Sequence, residues 1–196
     1  MTENKNLPKV GVIGSGSFAT AVVKMLMENC EKVHWLLRND GTREALISQG
    51  SNPHYLTAVK FNPDRLVLTM DINELVTACD VIILATPSIY LADTIEKMTC
   101  DYSGKIFASV IKGIVPKHND IVANYLRDTF NIGYRSQAVL AGPCHAEEVA
   151  MERLSFLTVA AASKETTQML SDLLSSRYIR INQSNDILGN EYSAVL

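Results

Sequence analysis

Apolar positions along this chain follow two alternating rhythms. Short, nearly continuous runs such as Val81-Ile-Ile-Leu84 suit strands buried on both faces. Between them, apolar residues recur at three- and four-residue spacing, the signature of amphipathic helices. The pattern predicts strands at Lys9–Ile13, Lys32–Leu37, Leu66–Thr69, Val81–Ala85, Lys105–Val110, Ala138–Leu140, Phe156–Ala161 and Arg177–Ile181. It predicts helices at Phe18–Glu28, Thr42–Gln49, Ile72–Ala78, Ile89–Met98, Asp120–Thr129, Ala146–Glu152 and Glu165–Ser175, and a last one beginning near Asp186. Asp71 and Ser163 are read as N-caps. Ser51–Pro63, which holds Asn-Pro twice, reads as a loop.

The first strand runs into Gly14-Ser-Gly16-Ser-Phe-Ala19, a G-x-G-x-x-A turn that opens a helix. This order suits a dinucleotide pyrophosphate. Gly14 allows the tight turn, Gly16 lets backbone approach phosphate, and Ala19 lets helix lie close on strand. The unpaired N–H groups near Ser17 and Phe18 then face the anion with the positive end of the helix dipole. With the strand–helix alternation, the fold class expected is α/β: a doubly wound, Rossmann-type, mostly parallel sheet with added C-terminal strands.

Length and composition narrow the rest. At 196 residues and 47% apolar, the chain has material for one full core. A net charge of −3 with no basic stripe argues against nucleic acid. The polar start, Met1 to Asn6, has no signal-peptide core, and no apolar run is long enough for a membrane span. Cys30, Cys79, Cys100 and Cys144 are widely spaced, as reduced cytoplasmic thiols are. His34, His54, His118 and His145 show no metal-ligand spacing.

Several residues follow strands at the edge where open parallel sheets bind ligands. Arg38 stands where an acid would hold a ribose 2′-OH; its planar fork suits a 2′-phosphate and favours NADP over NAD. A solvated arginine is the plainer reading, and Asp40 keeps NAD open. Pro87, in Thr86-Pro-Ser88, either touches the cofactor or only starts a helix. Lys112 is either a donor to a ketone or phosphate oxygen or a surface lysine. Glu147 and Glu148 fit the first turn of a helix, favoured by its dipole, while Ala146 leaves room for the nicotinamide side. His145 reads as a packing or surface residue. Tyr55 either shields the adenine end or covers the core.

An ordered set of motifs resembles the N-terminal domain of bacterial NAD(P)-dependent glycerol-3-phosphate dehydrogenases. It comprises Gly14-Ser-Gly-Ser-Phe-Ala-Thr-Ala21, Trp35-Leu-Leu-Arg38, Ala85-Thr-Pro-Ser88, Lys112-Gly-Ile114, Gly142-Pro-Cys-His-Ala-Glu-Glu-Val149, and Arg180 with Asp186-Ile-Leu-Gly-Asn-Glu191. The resemblance implies interconversion of dihydroxyacetone phosphate and sn-glycerol 3-phosphate with NADP(H) or NAD(H), for phospholipid synthesis. It implies Phe18 over the cofactor and Lys112 as catalytic, cofactor- and substrate-binding residue, with Gly142 and Cys144 also at the substrate. Phe18, Ala19 and Cys144 depart from the family's usual Trp, Gly and Ser or Thr. Residues 1–184 are expected to form the cofactor domain and residues 185–196 the start of a helical domain. The family's general acid/base lysine is expected directly after Leu196, so the chain alone is expected to bind cofactor without turnover. Exposed Val195 and Leu196 invite association, and a homodimer is compatible. Two other readings are a hydroxy-acid or sugar-acid dehydrogenase and a non-catalytic dinucleotide sensor.

Overall fold

The computed structural model describes residues 7–195; the polar start at Met1–Asn6 and the expected exposure of Leu196 lie outside them. Eight strands form one sheet. They are β1 (Val10–Ile13), β2 (Val33–Leu36), β3 (Leu66–Thr69), β4 (Val81–Leu84), β5 (Ile106–Ser109), β6 (Gln137–Ala141), β7 (Ser155–Ala161) and β8 (Ile179–Ser184). The helices are α1 (Ser17–Leu26), α2 (Asp40–Gln49), α3 (Ile72–Ala78), α4 (Ser88–Ile95), α5 (Val122–Phe130), α6 (Ala146–Ala150), α7 (Lys164–Leu174) and α8 (Ile187–Val195). The strand order is β3-β2-β1-β4-β5-β6-β7-β8. All neighbours are parallel except β6 and β7. The expected Rossmann-type sheet with added C-terminal strands is therefore present, and the chain reverses across its middle between β1 and β4.

The core explains why β4 is apolar throughout. Val81 and Ile83 point into a cluster with α1, α6 and α7, while Ile82 and Leu84 point into one with α3, α4 and α5. Successive side chains of a strand face opposite sides, so a strand covered on both needs apolar residues at every position. Both expected N-caps hold: Asp71 accepts from Asn73 N–H at 2.8 Å, and Ser163 from Thr166 N–H at 3.2 Å.

Several element ends differ by a few residues from those expected, and in three elements the local reason is visible. Helix α2 starts at Asp40, because Asn39 caps it through Thr42 N–H. Helix α4 ends at Ile95, and the Asn73 side chain accepts from Thr99 N–H and Cys100 N–H just beyond it. Strand β8 begins at Ile179 and runs to Ser184, because Ser176 Oγ accepts from Tyr178 N–H and Ile179 N–H and holds a turn there.

Candidate active site

The carboxyl ends of β1, β2 and β4 open into a cavity of about 790 Å³, within the usual range for small-molecule sites. Its wall includes Gly14, Ser15 and Gly16 from the β1–α1 turn, Arg38 and Asn39 after β2, Thr86 and Pro87 after β4, and Tyr90 on α4. His54 and Tyr55 close it from the long loop after α2. Gly14 has φ +124°, and a Cβ there would lie 2.5 Å from the Ala85 carbonyl oxygen. That position admits only glycine without backbone movement. A Cβ on Gly16 would meet nothing within 4 Å, so its backbone borders open space.

Of the residues expected at the cofactor, Gly14, Gly16, Arg38, Tyr55 and Pro87 come together on this wall. Ser17 opens α1 and is partly exposed; Phe18 is partly buried and packs against the core. Ala19 is buried, as close helix–strand packing requires. Ala146 is buried in the core, so its side chain does not line the cavity. Pro87 occupies the N-cap of α4, and neither Thr86 nor Ser88 caps that helix through its side chain.

Lys112 follows β5 and Gly142 follows β6. They share a second cavity of about 400 Å³ with Asn190, Ser193 and Ala194 of α8. The Lys112 ammonium is exposed and donates to the Gly142 carbonyl at 3.4 Å. Gly142 has φ +114°, which turns the chain out of β6. Cys144, expected at the substrate, is 2% exposed and sits in the core cluster. Burial pushes its thiol up despite the nearby Lys112 charge. His145 is exposed, and Glu147 and Glu148 lie in the first turn of α6, as expected. Among the described residues no cluster of His, Cys, Asp and Glu could hold a metal ion.

Four further residues shape the larger cavity without having been singled out as ligand contacts. Trp35 donates its indole N–H to the Gly14 carbonyl at 2.6 Å. Asn52 is fully buried and bonded to the same turn. Asn39 caps α2, and Tyr90 lies under the Arg38 guanidinium, 5.5 Å from ring centroid to carbon. Only Asn39 carried a local signal, as a capping residue just before an acid-led helix.

A sheet switching direction between β1 and β4, with a glycine turn at that point, is shared by many nucleotide-binding proteins. The family profile decides among them. The profile described as "NAD-dependent glycerol-3-phosphate dehydrogenase N-terminus" matches residues 9–167. The chain belongs to this family. It is 31% identical over 194 residues to glycerol-3-phosphate dehydrogenase [NAD(P)+] of Staphylococcus saprophyticus, covering 97% of this chain and 58% of that one. The Pseudomonas fluorescens SBW25 enzyme of the same name is 32% identical over 197 residues, covering 100% and 56%. The chain thus spans a little over half the length of these relatives. Among solved structures, glycerol-3-phosphate dehydrogenase of Plasmodium falciparum superposes with a TM-score of 0.82 at 25% identity, over 92% of this chain and 53% of that one. The Coxiella burnetii enzyme, at 21% identity, shares the fold with a TM-score of 0.81 over 93% and 55%.

Proposed function

We propose that this glycerol-3-phosphate dehydrogenase-family chain binds NADPH or NADH in the larger cavity and serves reduction of dihydroxyacetone phosphate to sn-glycerol 3-phosphate. The observation that carries the reading is the glycine turn: Gly14 is pressed on the end of β4 and Gly16 borders open space, at the head of a cavity of about 790 Å³. The bound nicotinamide supplies the hydride. The chain's own residues bind and orient. The α1 N-terminus meets the pyrophosphate, and Arg38, held over Tyr90, meets a 2′-phosphate. Lys112 stands at the neighbouring strand end, where its ammonium holds the ketone or phosphate oxygen and stabilises negative charge as it develops. Gly142 keeps that approach open, and Tyr55 covers the adenine end.

Residues 1–184 serve as the cofactor unit, and α8 brings the first residues of a substrate-side unit, since Asn190, Ser193 and Ala194 line the cavity beside Lys112. A cytoplasmic setting agrees with four free cysteines and with the absence, among the described residues, of a helix able to cross a membrane. A homodimer is the assembly we infer from the apolar part of α8, where Val195 stays partly exposed. Titration of NADPH and NADH, followed by emission of the single tryptophan, tests the cofactor site. An absorbance assay with dihydroxyacetone phosphate tests turnover. Saturable binding of either cofactor supports the site; no binding of either overturns it. Sedimentation gives the oligomeric state.

A further inference from the structure

The β1–α1 turn is held from below by three side chains, one for each successive carbonyl. Trp35 Nε1 donates to Gly14 O at 2.6 Å, Asn52 Nδ2 to Ser15 O at 3.0 Å, and Thr20 Oγ1 to Gly16 O at 2.9 Å. The described residues contain no cis peptide bond. In a trans peptide the carbonyl of one residue and the N–H of the next point opposite ways. Carbonyls of Gly14, Ser15 and Gly16 drawn toward the protein therefore turn the N–H groups of Ser15, Gly16 and Ser17 the other way. Successive N–H groups on one side form an anion cradle.

Asn52 is the member of this set with the widest reach. It is 0% exposed, and all four positions of its amide are engaged. The nitrogen donates to Ser15 O and to Thr20 Oγ1 at 2.9 Å; the oxygen accepts from His54 N–H at 3.0 Å and Tyr55 N–H at 3.3 Å. One side chain thus joins the glycine turn to the loop that forms the facing wall of the cavity. We propose that Asn52 is a positioning residue for the dinucleotide, holding the Ser15 carbonyl inward so that the Gly16 N–H meets the pyrophosphate. It touches no ligand itself and acts through the backbone of the turn. The inference rests on the cofactor reading above.

The test compares the wild-type chain with Asn52→Ala and Thr20→Val, using NADPH, NADH and 2′-AMP, which has the adenosine end but no pyrophosphate. Removing the amide is expected to weaken NADPH and NADH in parallel by about tenfold, the scale of one lost charge-assisted contact. Affinity for 2′-AMP is expected to change by less than about threefold, because its phosphate lies at the Arg38 end. Thr20→Val is expected to give a smaller loss of the same kind. Equal losses for NADPH and 2′-AMP would mean general damage to the fold, and unchanged NADPH affinity in both variants would remove the role altogether. A measurement on the wild type needs no variant: the Gly16 amide resonance is expected to move with NADPH and to stay in place with 2′-AMP. A Gly16 amide indifferent to NADPH overturns the proposal. Failure of the wild-type chain to bind either dinucleotide would instead remove the cofactor reading on which it rests.

Discussion

Replacing Glu191 by Gln should change the pH dependence of folding more than its level. Glu191 lies on α8 with 0% of its surface exposed, and its two carboxylate oxygens accept from Val122 N–H at 3.0 Å and Ala123 N–H at 3.1 Å, at the start of α5. No cation pairs with it among the described residues. Burial pushes its carboxyl from 4.5 up to about 7; the two N–H donors pull the other way, and Asp120 adds to the rise. As pH climbs from 4.5 to about 7, the unfolded chain releases this proton while the folded chain keeps it. The stability contributed by the protonated form is whole below 4.5 and lost as pH passes about 7. That gap, at about 1.4 kcal/mol per pH unit, amounts to about 3 kcal/mol. The carboxyls of Glu96, Asp101, Asp128, Glu152 and Glu165 lie below their ordinary values, so their contributions change at pH below this window. His34, whose pKa burial lowers from 6.5, contributes with the opposite sign inside the window, and comparison of two chains that both contain it cancels its share. Urea unfolding followed by Trp35 emission between about pH 4.5 and 8 should show Glu191→Gln gaining about 3 kcal/mol on the wild type. Parallel profiles for the two chains would refute the reasoning.

Three substitutions address the proposed site. Arg38→Ala should weaken NADPH binding about tenfold or more and leave NADH nearly unchanged, since a charge-assisted contact contributes roughly 1.5–3 kcal/mol; equal losses in paired titrations would sink the assignment. Gly14→Ala places a Cβ 2.5 Å from the Ala85 carbonyl at φ +124°, and should cost about 1–3 kcal/mol of stability together with cofactor affinity, with an unshifted thermal midpoint speaking against it. Where the protein turns over dihydroxyacetone phosphate, Lys112→Ala should lower kcat/KM roughly 10²–10³-fold while NADPH affinity stays within about threefold; near-normal turnover would make Lys112 a surface lysine.

The parts of this fold that were legible in the sequence are those written in side-chain periodicity. Val81-Ile-Ile-Leu84 announces a strand covered on both faces, and the structure covers it so. Gly14 was legible because only one residue type tolerates its backbone. The boundaries that moved depend on single side chains that capture backbone N–H groups, close by as Asn39 does for Thr42, or from a distance as Asn73 does for Thr99 and Cys100. The burial of Cys144 was not legible, because a motif gives order along the chain and leaves out which way a side chain faces. Asn52 gave no signal, since Asn-Pro pairs mark loops by default and its four partners are distant or backbone groups.

The two cavities are built with one device, and it bears on how the fold holds its functional edge. In the first, Asn52 bridges the glycine turn and the facing loop. In the second, Glu191 bridges α8, whose Asn190 lines the cavity, and α5, which follows the loop carrying Lys112. Each is fully buried, and each bonds to backbone N–H groups or carbonyls of a segment far away in sequence. An apolar residue there would bury surface without fixing the relative position of the two segments, because apolar contact is non-directional. Hydrogen bonds from a buried amide or carboxyl are directional, and losing one partner leaves the other unsatisfied at a cost of about 1–3 kcal/mol. For Glu191 the structure accepts an additional penalty, the burial of a carboxyl held near 7. Such a cost is tolerable where position matters more than stability. On the proposed function, a hydride acceptor must be presented to the cofactor within a fraction of an ångström. Polar bridges at both cavities, in place of further apolar packing, are the expected solution for a sheet edge that has to keep the two cavities in fixed relation.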